Sequence, residues 1–344
     1  MSAEMNFANA VVCWQAARGR HDLPWQHDRD PYRVWLSEIM LQQTQVQTVL
    51  AYFKRFLRRF PDVATLAQAS LDDVLSLWSG LGYYSRARNL HRCAQVVMQA
   101  HGGVFPQTAT QLQSLPGIGP STAAAVASIC FGERVAILDG NVKRVLTRYL
   151  GFDHDLSQAA SVRGLLQHAQ RLLPTSTTAM PSYTQGVMDL GATLCTLRKP
   201  DCLNCPLAVN CQANLLGEPS RFPVKTRKLK RSAESWWLMW AVNASGAVWL
   251  CRQPTPGVWA GLHSFSMFDS EASLHLALAA ISPLSMRTLP SFKHVLTHKD
   301  LYLHPVHVNL SVDLPLDDSG VWVGTAQLAR LGLPAPIKKL LQNA

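Results

Sequence analysis

No run of about 18 uninterrupted apolar residues occurs in the 344-residue chain, which argues against a membrane-spanning helix. The first residues, Met1-Ser2-Ala3-Glu4, lack the charged-then-apolar pattern of a signal peptide, so the expected compartment is the cytoplasm. Charge is scarce as well. Only 16% of residues are Asp, Glu, Lys or Arg against 48% hydrophobic, which excludes a disordered chain. A length of this order supports about two domains, each able to bury a core without disulfide staples. Disulfides are not expected of the eight cysteines in a cytosolic setting.

Acidic residues are missing in one telling place. Residues 221–231 (RFPVKTRKLKR) hold six basic side chains and no acidic one, while residues 232–344 hold seven of each sign. The net charge of +10 therefore lies wholly in the first 231 residues, and more than half of it in this run. Such a run is either a solvated linker or a basic strap along a nucleic-acid backbone.

Four cysteines (Cys13, Cys93, Cys130 and Cys251) are scattered and read as small buried hydrophobes. The other four stand together as Cys195-x6-Cys202-x2-Cys205-x5-Cys211, a loop punctuated by Pro200 and Pro206. That density of thiols points to a metal site. Tetrahedral zinc usually takes two C-x2-C knuckles, and here there is one. The wider flanking spacings suit the corners of an iron–sulfur cube better.

Residues 7–220 read as helical. From Val46 to Phe60 the apolar positions recur at steps of three and four and stop at Pro61. Similar stretches cover about 63–77, 85–101, 121–131, 140–150, 157–172 and 181–194. Beyond the basic run the period changes. Segments 235–242 and 247–253 flank Asn243-Ala244-Ser245-Gly246, a hairpin signal, and 301–310 alternates. Helical stretches near 271–281 and 325–342 complete an α+β module. The expected organisation is a helical domain (1–220), a basic linker (221–231) and a small mixed domain (232–344).

Within the helical part, Leu115-Pro116-Gly117-Ile118-Gly119-Pro120 precedes the small-residue helix start Ser121-Thr122-Ala123. Gly117 and Gly119 allow a tight turn, and Pro120 suits a first helical turn. The loop N–H groups then face an anion such as a DNA phosphate. Combined with the cysteine loop, this resembles the helix–hairpin–helix DNA glycosylases that carry a 4Fe–4S cluster. Within them the chain looks most like the adenine DNA glycosylases of the MutY type. The motifs are Leu23-Pro24-Trp25, the run from Trp35 to Thr44 (WLSEIMLQQT), Gly80-Leu81-Gly82-Tyr83-Tyr84, Ile137 to Arg144 (ILDGNVKR) and the four cysteines.

The resemblance implies excision of adenine opposite 8-oxoguanine or guanine in double-stranded DNA by a monomer of base excision repair, nucleoid-associated when on DNA. It implies one 4Fe–4S cluster on Cys195, Cys202, Cys205 and Cys211. Breaking an N-glycosidic bond needs an acid near the base and an anion near the sugar. Glu38, in an apolar and amide-rich segment, would have a desolvation-raised pKa and protonate adenine N7. Asp139 would cap the helix after it and stabilise the sugar cation. Ser121 stands where lyase-competent relatives of the endonuclease III type carry a lysine, so hydrolysis without strand cleavage is expected. Gln43 and Tyr83 would fill the gap left by the extruded base. Trp25 and Gln185 would neighbour the adenine, and Asn141 and Lys143 would contact DNA.

The C-terminal part resembles the Nudix-related module that such enzymes use to read 8-oxoguanine, on Arg252-Gln253-Pro254 and Gly257 to Leu262. It lacks the acidic run a Nudix hydrolase needs, so no such hydrolysis is expected. His294 and Thr297 would read the lesion, although Leu296-Thr297-His298 stands where the family pattern has Phe-Ser-His. His294, His298, His304 and His307 read as sheet histidines rather than metal ligands. A glycosylase-lyase for oxidised pyrimidines and a non-catalytic iron–sulfur DNA-binding protein are the alternatives. Ser121 and the C-terminal module argue against the first, the carboxylate pair against the second.

Overall fold

The computed structural model describes residues 3–226, 230–311, 315–317 and 319–343. None of the helices in them is long and apolar enough to cross a membrane. The chain forms two compact units, residues 1–67 with 92–228, and residues 68–91 with 229–344. Residues 68–91, expected within the helical domain, thus group with the C-terminal residues.

The helices follow in chain order as α1 (Ala3–Arg18), α2 (Pro31–Leu41), α3 (Val46–Arg59), α4 (Val63–Gln68), α5 (Leu71–Trp78) and α6 (Ser85–His101). After these come α7 (Ala109–Leu112), α8 (Pro120–Phe131), α9 (Gly140–Leu150), α10 (Ala159–Arg171), α11 (Met180–Thr193) and α12 (Gln212–Leu215). Local chemistry sets the starts. Asp30 caps α2 by accepting from the Arg33 N–H, with Pro31 in the first turn. The stretch read as one helix over 63–77 is two, because the Ser70 hydroxyl accepts from the Asp73 N–H and begins α5 afresh.

In the first unit α11 is the central helix, buried at most positions from Met180 to Gly191 but not at Ser182 and Gln185, and packed against α1, α8 and α9. Phe7, Ala125, Leu146, Tyr183 and Leu190 fill the space between these helices. Removing that apolar surface from water drives their assembly.

The second unit is built on a sheet of β1 (Ser232–Val242), β2 (Val248–Arg252), β3 (His263–Ser264), β4 (Ser266–Phe268), β5 (Ser285–Thr288), β6 (Phe292–Val295), β7 (Lys299–Asn309) and β8 (Gly320–Val323). Strand order is β3-β2-β1-β7-β5, with β4 on β1, β6 on β7 and β8 on β2. The hairpin at 243–246 forms as expected, Val242 opposite Val248. The long pair β1–β7 is parallel, from Ser232 opposite Lys299 to Val242 opposite Asn309. Helices α13 (Glu271–Ile281), α14 (Thr325–Leu328) and α15 (Ala335–Gln342) complete the unit. The stretch read as one helix over 325–342 is broken before Pro334, whose ring starts α15 instead of continuing α14. Met239, Trp249, Leu274, Leu278 and Val308 form a core on one face of the sheet. Residues 68–91 are tied to this unit by Arg252 on Asp72 at 2.6 Å, and by Ser79 and Tyr84 donating to the Leu333 carbonyl at 3.2 and 3.3 Å.

Candidate active site

A cavity of about 1160 Å3 opens in the first unit, lined by Trp25, Glu38, Gln43, Ser121, Asp139, Asn141, Lys143 and Gln185 among others. Eight of the residues expected to act on the base or the DNA thus share one pocket. Glu38 comes from the buried stretch of α2, flanked by Ser37 and Ile39. Burial raises its carboxyl to about 7, and the nearby Asp139 charge pushes the same way. The two carboxyls are 101 positions apart in sequence and interact in space.

Asp139 is the N-cap of α9, its Oδ1 accepting from the Val142 N–H at 2.7 Å. Burial raises its pKa, against the pull of the backbone N–H groups and of Arg144 and Lys143. One carboxyl therefore keeps its proton near neutrality, while the other carries the stronger stabilisation of its anion. That division suits an acid and an anion acting on opposite sides of one bond.

The turn before α8 has Gly117 at φ 76°, and Gly119 is the N-cap with Pro120 behind it. Ser121 follows, half-buried on the cavity wall. Gln43 sits exposed in the turn between α2 and α3 at φ 57°, a left-handed conformation uncommon for a residue with a side chain. Trp25 is buried and meets the Phe53 ring edge-on at 5.2 Å.

Helices α9 and α11 touch at Gly191, where a Cβ would lie 2.7 Å from Asn141 Cβ and 3.1 Å from its carbonyl carbon. Arg144 bridges them, donating to Asn141 Oδ1 at 2.9 Å, the Gly191 carbonyl at 2.6 Å and the Cys195 carbonyl at 2.7 Å. Gly191→Ala is expected to force α9 and α11 apart at this point. A loss of about 1–3 kcal/mol in thermal or urea unfolding would measure the overpacking.

Arg20, Asp189 and Lys225 escaped the sequence reading. Arg20 and Gln185 on the wall both bond the carboxylate of Asp189, a fully buried side chain. Lys225, from the basic run, also lines the pocket. Between Phe222 and Thr226 the run is anchored to the unit, while the described basic side chains Arg221, Lys225, Lys230 and Arg231 stay exposed. Phe222 is buried, Val224 accepts from the Leu156 N–H at 3.0 Å, and the Thr226 hydroxyl bonds Asp155. Arg227, Lys228 and Leu229 of the expected linker lie outside the described residues.

Cys195, Cys202, Cys205 and Cys211 line one separate hollow. Among the described residues no group of three or more His, Cys, Asp or Glu is arranged to hold a single metal ion. A cluster asks for something else, one thiolate at each of several irons around a shared space, and the donor set fits that. Burial and mutual repulsion raise the thiols of Cys202, Cys205 and Cys211. Arg148, 2% exposed, fastens the loop by donating to Cys195 Sγ at 3.3 Å and to the Thr196 and Leu197 carbonyls at 2.7 and 3.1 Å. The same guanidinium holds the Pro219 carbonyl at 2.8 Å and that of Phe222 at 3.3 Å.

In the second unit a cavity of about 670 Å3 is lined by Tyr83, Trp259, His294, Thr297 and neighbouring residues. Tyr83, at φ 49° and 38% exposed, bonds the Thr297 hydroxyl through its own. Burial lowers the pKa of His294, favouring the neutral ring. His304 stacks on Trp237 at 4.6 Å and 16°, and His307 meets Trp240 edge-on at 4.7 Å.

Comparison with known proteins gives two family matches. Residues 36–172 match the HhH-GPD superfamily base excision DNA repair proteins and residues 237–343 a NUDIX domain. An adenine DNA glycosylase of Buchnera aphidicola subsp. Acyrthosiphon pisum (strain APS) is 36% identical over 343 residues, spanning 98% of this chain and 97% of that one. A Homo sapiens adenine DNA glycosylase is 43% identical over 217 residues, which is 60% of this chain and 39% of the human protein. Among solved structures, a thermostable thymine-DNA glycosylase aligns with TM-score 0.56 and 27% identity, covering 62% of this chain and 97% of that chain. An endonuclease III–DNA complex aligns with TM-score 0.51 and 20% identity over 63% of this chain and 99% of that one, a likeness of fold.

Proposed function

The chain belongs to the adenine DNA glycosylases, enzymes of base excision repair that hydrolyse an N-glycosidic bond, and on that premise we propose that its substrate is adenine opposite 8-oxoguanine or guanine in duplex DNA. The observation that carries the mechanism is the carboxyl pair in one pocket, Glu38 raised to about 7 and Asp139 held by the cap of α9. Glu38 donates its proton to adenine N7, which turns the base into a neutral leaving group. Asp139 stabilises the positive charge that develops on the sugar. Glu38, now ionised, accepts a proton from the water that completes hydrolysis. Ser121 offers no amine for a Schiff base, so the main product is an abasic site in an unbroken strand.

Because adenine itself is undamaged, discrimination has to come from the opposite base. The cavity of Tyr83, His294 and Thr297 is the proposed reader, with hydroxyl and imidazole groups able to bond the altered edge of 8-oxoguanine. Gln43 and Tyr83 fill space vacated in the base stack. Gly117, Gly119, Ser121, Asn141 and Lys143 contact the DNA strand, and the basic run adds salt-dependent affinity. The protein acts as a monomer, in the cytoplasm and on the nucleoid.

Cys195, Cys202, Cys205 and Cys211 would hold one 4Fe–4S cluster, which would cross-link residues 195–211 when bound. Purified protein is expected to be brown and to contain about four irons per chain, with colour and iron both lost in Cys202→Ser. Colourless, iron-free protein would overturn the cluster assignment.

The deciding assay incubates the protein with A·8-oxoguanine and A·C duplexes and measures free adenine and strand breaks separately. Adenine release from the first duplex without breaks is the expected result. Equal release from both duplexes would overturn the opposite-base specificity, and breaks matching release would overturn the hydrolytic assignment.

A further inference from the structure

Asp189 lies on α11 one turn beyond Gln185, and its side chain has no exposure to solvent. An isolated carboxylate in that position would be costly, so its partners matter. Arg20 gives it a backbone N–H at 3.0 Å, Nε at 2.8 Å and Nη2 at 2.6 Å, which serves both carboxylate oxygens and fixes its plane. Gln185 then donates Nε2 to Asp189 Oδ1 at 2.9 Å. An ionised carboxylate only accepts hydrogen bonds, so the amide nitrogen of Gln185 must be the end turned toward it. The carbonyl oxygen is the end left for a ligand on the wall shared with Glu38 and Asp139.

We propose that Asp189, braced by Arg20, is a positioning residue that presents the Gln185 carbonyl as a fixed acceptor for the exocyclic amino group of adenine. This rests on reading the pocket as the adenine site and adds the origin of its choice between bases. Adenine carries an N6 amino donor, whereas hypoxanthine has a carbonyl oxygen at the same place. A fixed acceptor rewards the first and sets two lone pairs against each other in the second. A glutamine free to rotate would accept both by turning its amide.

The test measures single-turnover release of adenine and of hypoxanthine, each opposite 8-oxoguanine. Asp189→Asn keeps the shape but offers an amide donor to either end of Gln185. The expected result is a fall in the adenine-to-hypoxanthine rate ratio of roughly tenfold or more. In a Gln185→Leu background the same change should leave the ratio where Gln185→Leu alone has put it. Equal slowing of both bases by Asp189→Asn would mark a merely structural role and overturn the inference. A further fall of the ratio in the Gln185→Leu background would overturn action through Gln185. Should Asp189→Asn not fold, Gln185→Leu still decides, since it leaves the Arg20 pair in place and an unchanged ratio overturns the proposal. Release of neither base by the unaltered protein would instead be the failure of the adenine reading itself.

Discussion

Replacing Glu38 by glutamine is expected to slow adenine release by roughly a hundred- to ten-thousand-fold, the range lost with a positioned general acid. Glutamine keeps the size and neutrality of the protonated acid and removes its transferable proton. The unaltered enzyme should lose activity as pH rises through about 7, because only the protonated carboxyl can donate. The same shift has a consequence for stability. Folding raises the pKa from 4.5 to about 7, so the folded chain holds the proton more tightly than the unfolded one. The contribution is fully present below about 4.5 and is lost as pH rises through about 7. Glu38→Gln, neutral at every pH, should therefore be the more stable protein at pH 8, by up to about 3 kcal/mol. The difference should vanish near pH 4. Thermal melts of both proteins across that range measure it, and parallel curves would contradict the burial of the charge.

Arg148→Met is expected to be the most damaging single change away from the pocket. The guanidinium serves four backbone carbonyls and one sulfur from a position 2% exposed. Methionine fills similar volume and leaves those acceptors without their donor in a place where water cannot substitute. A loss of roughly 3–5 kcal/mol is expected, together with failure to retain iron on the cysteine loop. Arg148→Lys should recover only part, because a point charge cannot span five acceptors that the planar fork reaches at once. Urea unfolding and iron content per chain check both statements.

Much of the pocket was legible because motifs are local. Asp139 followed by Gly140 and Asn141 reads as a cap, and it caps α9. Glu38 stands alone among apolar neighbours, which signals a desolvated acid. Their meeting was not legible, since 101 residues of folding separate them. Arg20 and Asp189 were missed for the same reason, being 169 positions apart. A signal was present nonetheless. Asp189 interrupts Val187-Met188 and Leu190-Gly191, and a carboxylate on the buried side of a helix demands a partner. Arg148, between Thr147 and Tyr149 on the inner face of α9, made the same demand. In the second unit, alternation along 301–310 indicated a strand but could not name its neighbour. The parallel partner is set by tertiary packing over a separation no local pattern encodes.

Gln43 and Tyr83 hold left-handed backbone conformations, at φ 57° and φ 49°. Each costs of order 1–3 kcal/mol, a cost incurred when the chain folds rather than when it meets a duplex. On the proposed role of both residues in the base stack, a backbone fixed at folding would leave less to be ordered on the duplex. In kinetic terms that role would shift work from every encounter on the DNA to one event in the life of the enzyme. Scanning speed is what such an arrangement favours, and glycine at either position would make a more relaxed protein but a slower reader.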